Sequence, residues 1–309
     1  MIKLEHVSHT YNQAPVVNDI SLEIAAGETC VIVGSSGCGK STTLRLLNKL
    51  LACSSGKIYV NDQNINQINT KQLRLRMGYA IQNTGLFPHW TVEHNIGVVP
   101  RLLGWSKSKV QNKVRELLEL LSLPHAQFAH KFPHELSGGQ AQRIGVARAL
   151  AGEPEILLMD EPFGALDPIT RETLQNELLR IQAHIHKTIM FVTHDIDEAL
   201  KLATRIAVMD KGRIVQYDTP LNLLASPANQ FVKNLLGQGE QELRSAALHY
   251  VVNFMQPATQ ERLAVNVQEQ DTLRQALSYM MKYKVNRLCV RNSQNAIVGT
   301  LSFSDLIKG

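Results

Sequence analysis

Three observations predict an α/β fold with a mostly parallel sheet. Short apolar runs alternate with helical segments over residues 1–236, the pattern left by parallel strands joined through helices. One such run, in "VIVGSSGCGKSTTL" (31–44), passes into a helix through a loop of the form G-x4-G-K-S. Another run, "EILLMDEP" (155–162), leads directly to two consecutive acids.

The elements follow in order. Strands are predicted at "TCVIV" (29–33), "MGYAI" (77–81), "EILLMD" (155–160), "TIMFVT" (188–193) and "RIAVMD" (205–210), short runs that are mainly apolar, the first of them β-branched. Helical spacing is predicted over 40–51, 110–121, 139–151, 169–185 and 196–202. A break comes at "LLGQGEQEL" (235–243), where two glycines and polar residues follow a helical run and suggest a linker. Two domains are therefore expected, 1–236 and 237–309. In the second, "DTLRQALSYMMKYKV" (271–285) carries a helical apolar stripe of Leu273, Ala276, Leu277, Met280 and Met281. The strand candidates "NRLCVRN" and "AIVGTLS" and a last helical turn, "FSDLIKG", follow it. Nothing in this part looks catalytic.

With 309 residues and 44% hydrophobic content the chain is an ordinary folded protein of about two domains. No apolar run approaches the ~20 residues of a membrane span, and the start, "MIKLEHVSHTY", has no signal-peptide core, so a place inside the cell is expected. The four cysteines are scattered, with no C-x-x-C pair, which suggests a reducing compartment and no cysteine metal site. The net charge of +5 is dispersed, with no basic block of five, so it reads as a solvated mixed surface rather than a nucleic-acid site.

The loop between 34 and 41 carries the first chemistry. Gly34, Gly37 and Gly39 let backbone N–H groups approach a polyphosphate, with Ser35, Ser36 and Cys38 between them. Lys40 supplies a point charge for the β- and γ-phosphates, and Ser41, followed by Thr42, offers a hydroxyl suited to Mg²⁺. A helix N-terminus adds its own attraction for anions. Cys38 is structurally a small residue, and its alkylation is expected to block nucleotide binding. At the end of "EILLMDEP", Asp160 is placed to organise Mg²⁺, directly or through water, and Glu161 to act as general base toward water. "LSGGQAQR" (136–143) sets Ser137, Gly138, Gly139 and Gln140 before an amphipathic helix, a second potential anion site. One chain with two such helix ends holds two ligands, or shares each ligand with another copy of itself.

"GSSGCGKST", "LSGGQ" and "ILLMDEP", in that order, resemble the nucleotide-binding subunit of an ATP-binding-cassette (ABC) transporter over about residues 1–236. The resemblance implies a P-loop NTPase cassette, with antiparallel β and α-helical subdomains beside the parallel sheet. It implies that Tyr11, in "HTYNQAPVVNDIS", stacks on adenine. Gln82, in "GYAIQNTGLFPHWTVEHNI", would sit near Mg²⁺ and the attacking water, on the loop that touches the membrane subunit. Asp167, in "GALDP", would lie on the loop crossing between cassettes, and His194, in "FVTHDIDEA", would sense the γ-phosphate. In this family two cassettes pack head to tail, each ATP being enclosed by one phosphate loop and the other copy's "LSGGQ". ATP binding and hydrolysis would then drive closing and opening of the dimer, with integral-membrane permease subunits as partners at the cytoplasmic face of the inner membrane. An extracytoplasmic solute-binding protein is an indirect partner, and no nucleic acid is involved.

Finer features, "TGLFPH", "FGALDP" and "THDIDEALKLATRIAVMDKGRIVQ", resemble the ATPases of importers for quaternary amines such as glycine betaine and choline. The alternatives are the ATPase of an amino-acid or other small-solute importer, or a non-transport ABC ATPase. The C-terminal part is similar to a cystathionine-β-synthase-type (CBS) module, making a small α+β unit. Such relatives carry it as a tandem pair, associated with sensing ionic strength. Here one repeat is visible, and "ELRSAALHYVVNFMQPATQERLAV" before it reads as at best a degenerate remnant. Residues 240–309 hold eight Lys or Arg against six Asp or Glu, so there is no acidic tail. A regulatory, a dimer-stabilising and a vestigial module all remain open.

Overall fold

Completely apolar strands need both faces covered, and in this chain they have it. The computed structural model describes residues 1–12, 14–81, 85–164, 166–237, 239–258 and 263–307. Two compact units result, Met1–Pro220 and Leu221–Gly309. The division falls earlier than the linker-like stretch after 235, so the helix Gln230–Leu235 groups with the second unit.

The first unit holds two sheets. One is antiparallel, in the order β2-β1-β4-β5, built from β1 (Ile2–Tyr11), β2 (Ala14–Ile24), β4 (Ser55–Val60) and β5 (Gln63–Asn64). The other contains β3 (Thr29–Gly34), β6 (Met77–Ala80), β7 (Ile156–Asp160), β8 (Thr188–Thr193), β9 (Arg205–Asp210) and β10 (Arg213–Asp218). Its order is β10-β9-β3-β8-β7-β6, parallel except for β10. All five strands predicted from sequence are there. Every residue of β3, β7 and β8 is buried, each large apolar side chain contributing about 2 kcal/mol of burial. Ile2, Leu4, Ile24 and Ile58 of the antiparallel sheet share one core with Ile32, Leu158 and Val192 of the parallel sheet and Leu44 and Leu47 of the helix between them.

That helix, Lys40–Leu47, ends four residues before the predicted position. Lys49 takes a left-handed conformation at φ 49°, and its ammonium donates to the carbonyls of Ile65 and Ile68. Tertiary hydrogen bonding therefore overrides the apolar spacing of Leu50 and Leu51. The other predicted helices appear within a few residues as Lys107–Leu120, Gly138–Leu150, Pro168–Ile185 and Ile196–Leu202. Between β6 and β7, short helices Val92–Ile96, Val98–Leu102 and His125–Phe128 add to a helical portion.

In the second unit a four-stranded sheet runs β11-β14-β13-β12, with β11 (Gln256–Pro257), β12 (Asn266–Gln268), β13 (Arg287–Arg291) and β14 (Ile297–Ser302). The helix Leu273–Tyr283 is closed at its start by a reciprocal cap between Thr272 and Gln275. It buries Leu273, Ala276 and Met280 against Leu288, Val290 and Leu301, while Met281 of the predicted stripe is 72% exposed. Among its described residues the preceding segment forms no second module. It supplies the helix Gln241–Leu248, the edge strand β11 and the core residue Val251 of this one unit.

Candidate nucleotide site

Parallel strands deliver their following loops to one edge, which is where open α/β sheets bind ligands. The register aligns Val33 with Thr193 and Val192 with Asp160. The phosphate-type loop after β3, the acids after β7 and the histidine after β8 are thus brought to the same level.

The loop is shaped by glycine at two positions in particular. A Cβ on Gly34 would overlap the carbonyl oxygen of Met209, and Gly39, at φ +108°, lies against the carbonyl of Val16 in β2. Ser35, Ser36 and Gly37 are exposed at the tip, and Cys38, Gly39 and Lys40 are buried behind it. The Lys40 ammonium donates to the carbonyls of Gly34 (2.8 Å) and Ser35 (2.9 Å), so the charge is held within the loop. Thr42 is buried in the first helical turn. The Cys38 thiol is also buried, and that burial raises its pKa above the ordinary 9.0. That burial disfavours the thiolate, the form that alkylating reagents attack.

Ser41 Oγ donates to Asp160 Oδ1 at 2.7 Å, and Asp160 is 4% exposed. A hydroxyl and a buried carboxylate meeting at a phosphate loop form a hard-oxygen donor set, which fits Mg²⁺. Among the described residues no three His, Cys, Asp or Glu cluster as a metal cage, and Mg²⁺ seldom uses one: it takes one or two protein oxygens together with phosphates and water.

Glu161 occupies the left-handed region at φ 47°, a conformation costing roughly 1–2 kcal/mol for a residue with a Cβ. Such strain concentrates at functional sites. Its amide donates to the Val192 carbonyl (3.0 Å), and its Oε2 lies 3.3 Å from Nδ1 of His194, whose side chain is 61% exposed.

The remaining candidates are more dispersed. Tyr11 is 42% exposed at the end of β1, edge-on to His9 at 4.6 Å. It pairs with Ala14, two residues before the Val16 that touches Gly39. Ser137 and Gln140 cap the helix Gly138–Leu150 reciprocally: Ser137 Oγ accepts from the Gln140 amide (3.3 Å) and Gln140 Oε1 from the Ser137 amide (3.0 Å). Gly138 beside them is exposed, and Gly139 faces Thr170. Asp167 caps the helix Pro168–Ile185, accepting from the amides of Ile169 (3.1 Å) and Thr170 (3.0 Å); hydrogen bonding from the Thr170 side chain first, and then from the Thr170 and Ile169 amides, holds its carboxyl below the ordinary 3.8. Gln82 lies outside the described residues.

Two sets of residues escaped the sequence reading. Asn95, fully buried, accepts from the Phe87 amide and donates to the carbonyls of Phe87, Trp90 and Thr91, fixing the "GLFPHW" turn. Arg171, Thr193, Asp195 and Glu198 form a polar network behind His194. The only signal for the latter was the density of acids in "THDIDEA", which reads equally well as a solvated helix start.

A strand, a glycine-rich loop and a helix carrying lysine and serine, with a buried carboxylate hydrogen-bonded to that serine, define a P-loop nucleoside triphosphatase. Residues 17–164 match the ABC transporter family, and residues 264–309 match the CBS domain. The chain is 46% identical to the glycine betaine uptake system ATP-binding protein of Escherichia coli (strain K12) over 310 residues, 99% of either chain. It is also 46% identical to the glycine betaine/carnitine/choline transport ATP-binding protein of Bacillus subtilis (strain 168), over 97% of this chain and 77% of that one. An ATP-binding cassette solved as a dimer in a post-hydrolysis state with ADP and Pi superposes with a TM-score of 0.65 at 31% identity, over 71% of this chain and 99% of the other. The chain belongs to the ATP-binding subunits of ABC transporters, in the branch whose relatives are named for uptake of glycine betaine, choline and carnitine. It is an ABC-type ATPase that binds nucleotide. The fold class and the single CBS module predicted from sequence are both present.

Proposed function

We propose that this chain hydrolyses ATP to power import of quaternary ammonium osmolytes, glycine betaine and choline first among them. For the solute, the carrying observation is near full-length similarity to relatives named for those compounds. This favours the reading over an amino-acid importer or a non-transport ATPase.

In the proposed chemistry Lys40 and the loop amides from Ser35 to Thr42 hold the phosphates, and Tyr11 stacks on adenine. Ser41 and Asp160, with Gln82, would hold the Mg²⁺ ion, which supplies neutralising charge to the phosphate oxygens. Glu161 accepts a proton from the attacking water as its oxygen bonds to the γ-phosphorus. The bond to the bridging oxygen breaks, and ADP and phosphate leave. His194, within reach of Glu161, orients that carboxylate and meets the γ-phosphate.

Each ATP would be completed by Ser137, Gly138 and Gly139 of a second copy, with Asp167 crossing between the two. Ile169 supports an interface on this face: it is 80% exposed, next to the Thr170 that touches Gly139. ATP then stabilises the closed pair over the open one, and hydrolysis removes that bias. A groove of about 410 Å³ is lined by Arg74, Tyr79, Gly85, Phe87, Leu102 and Arg148. With Phe87 and Leu102 40% and 64% exposed at its edge, it suits a helix of an integral-membrane permease. Among the described residues no helix is long and apolar enough to cross a membrane. The proposed location is therefore the cytoplasmic face of the inner membrane, held by the permease, with an extracytoplasmic solute-binding protein delivering the solute. The proposed division of labour assigns nucleotide work to residues 1–236 and a CBS-like accessory role to 237–309.

The test is uptake of labelled glycine betaine, choline and a panel of amino acids by cells with and without this subunit. Loss of betaine and choline uptake is expected. Loss of amino-acid uptake alone would overturn the solute assignment.

A further inference from the structure

The partners of one arginine close a circuit around the proposed catalytic pair. Arg171 lies in the first turn of the helix Pro168–Ile185, with its side chain about two-thirds buried. One guanidinium nitrogen, Nη2, donates to the carbonyl of Leu166 at 3.2 Å, at the far end of the loop that begins with Glu161. The other, Nη1, donates to Asp195 Oδ2 at 3.4 Å, immediately after His194. Its Nε is buried, makes no hydrogen bond among the described residues, and faces Glu198 Oε1 at 3.8 Å. Glu198 is itself buried and accepts from Thr193 Oγ1 at 2.7 Å, while that hydroxyl accepts from the Asp195 amide at 3.0 Å. One planar cation thus touches the loop of the proposed base on one side and the loop of the proposed switch histidine on the other.

Each loop has reason to need this. Glu161 is held in a left-handed conformation that its backbone disfavours. Asp195 must cap the helix Ile196–Leu202 through the amides of Asp197 and Glu198 while its other oxygen meets Arg171. A general base misplaced by about 1 Å can lose a hundred-fold in rate. We propose that Arg171 is a positioning residue: by clamping the Leu166 carbonyl and the Asp195 carboxylate it sets the separation of Glu161 and His194. This rests on the reading of Glu161 as the base. None of these contacts reaches the phosphate loop, so loss of Arg171 changes turnover and not nucleotide affinity. Lysine is a poor substitute, because a point charge cannot donate in two fixed directions at once.

The test is steady-state ATPase kinetics of the full chain. Arg171→Ala is expected to lower kcat by about ten- to a hundred-fold while KM for ATP moves by less than about two-fold, and Arg171→Lys to restore only part of kcat. Removing Arg171 also strips Glu198 of its buried cation, so a purely structural role must be separated. The double variant Arg171→Met, Glu198→Gln removes both charges. Recovery of thermal stability in it with kcat still low supports positioning, whereas recovery of kcat together with stability overturns it, as does a rise in KM matching the fall in kcat. Glu161→Gln is measured in parallel. Retained turnover there would overturn the base assignment itself; an inactive Glu161→Gln beside a fully active Arg171→Ala would overturn the role of Arg171 alone.

Discussion

At the residue scale the site is built from buried charges with assigned partners. Lys40 is 5% exposed and bonded to two loop carbonyls, so its cation is already desolvated and aimed along the loop. A charge-assisted contact is worth about 2 kcal/mol, and Lys40→Ala should weaken ATP binding by about thirty-fold, readable by titration with a fluorescent ATP analogue. Glu198 makes a second prediction. Burial pushes its carboxyl above the ordinary 4.5; the Thr193 hydrogen bond opposes this, Asp195 adds to it, and Arg171 and His194 pull it back. A carboxyl raised in the folded state contributes stability that is complete below its unfolded value and is lost as pH rises through its folded one. Glu198→Gln keeps the bond to Thr193 but does not ionise. Its denaturation midpoint relative to the parent should therefore climb as pH rises above the ordinary 4.5, and a pH-independent difference would contradict the raised carboxyl. Of these groups the lysine was legible from spacing alone. The buried network was not, because a run of acids looks the same on a solvated helix as in a protein interior.

At the scale of elements, the parallel strands and long helices could be read because their periods are unambiguous. The antiparallel sheet was read through family resemblance instead: β1, β2 and β4 are irregular, with bulges between Leu4 and Val7 and between Glu5 and Ser8, and a bulge scrambles a period of two. The early end of the helix Lys40–Leu47 was hidden for another reason, the long-range bonds of Lys49. The helix Gly138–Leu150 shows what sequence does convey, since a hydroxyl and glycines before an apolar stripe did mark a capped start. Its N-terminus is exposed at Ser137 and Gly138. Ser137→Arg should therefore leave ATP binding by a single copy within about two-fold of the parent, while steric bulk blocks closure and hydrolysis falls at least ten-fold or so. Equal ATPase rates for that variant and the parent would contradict a shared site.

At the scale of the whole molecule, every described contact of the nucleotide site lies within Met1–Pro220, and the CBS-like unit has its own apolar core. A chain ending at Gly237 is expected to bind ATP with an affinity within about two-fold of the full protein, as measured by calorimetry; loss of binding would make the C-terminal unit part of the nucleotide domain. What sequence left open about that unit, a second repeat before residue 264, is answered by packing, because the described residues of the segment go into one helix and one edge strand of the same fold. The central claim is that ATP joins two copies and that Glu161 parts them. Light scattering of Glu161→Gln in ATP and Mg²⁺ tests it most directly. A shift from monomer to a long-lived dimer, absent with ADP, is the predicted result, and a protein that binds ATP yet remains monomeric would contradict it.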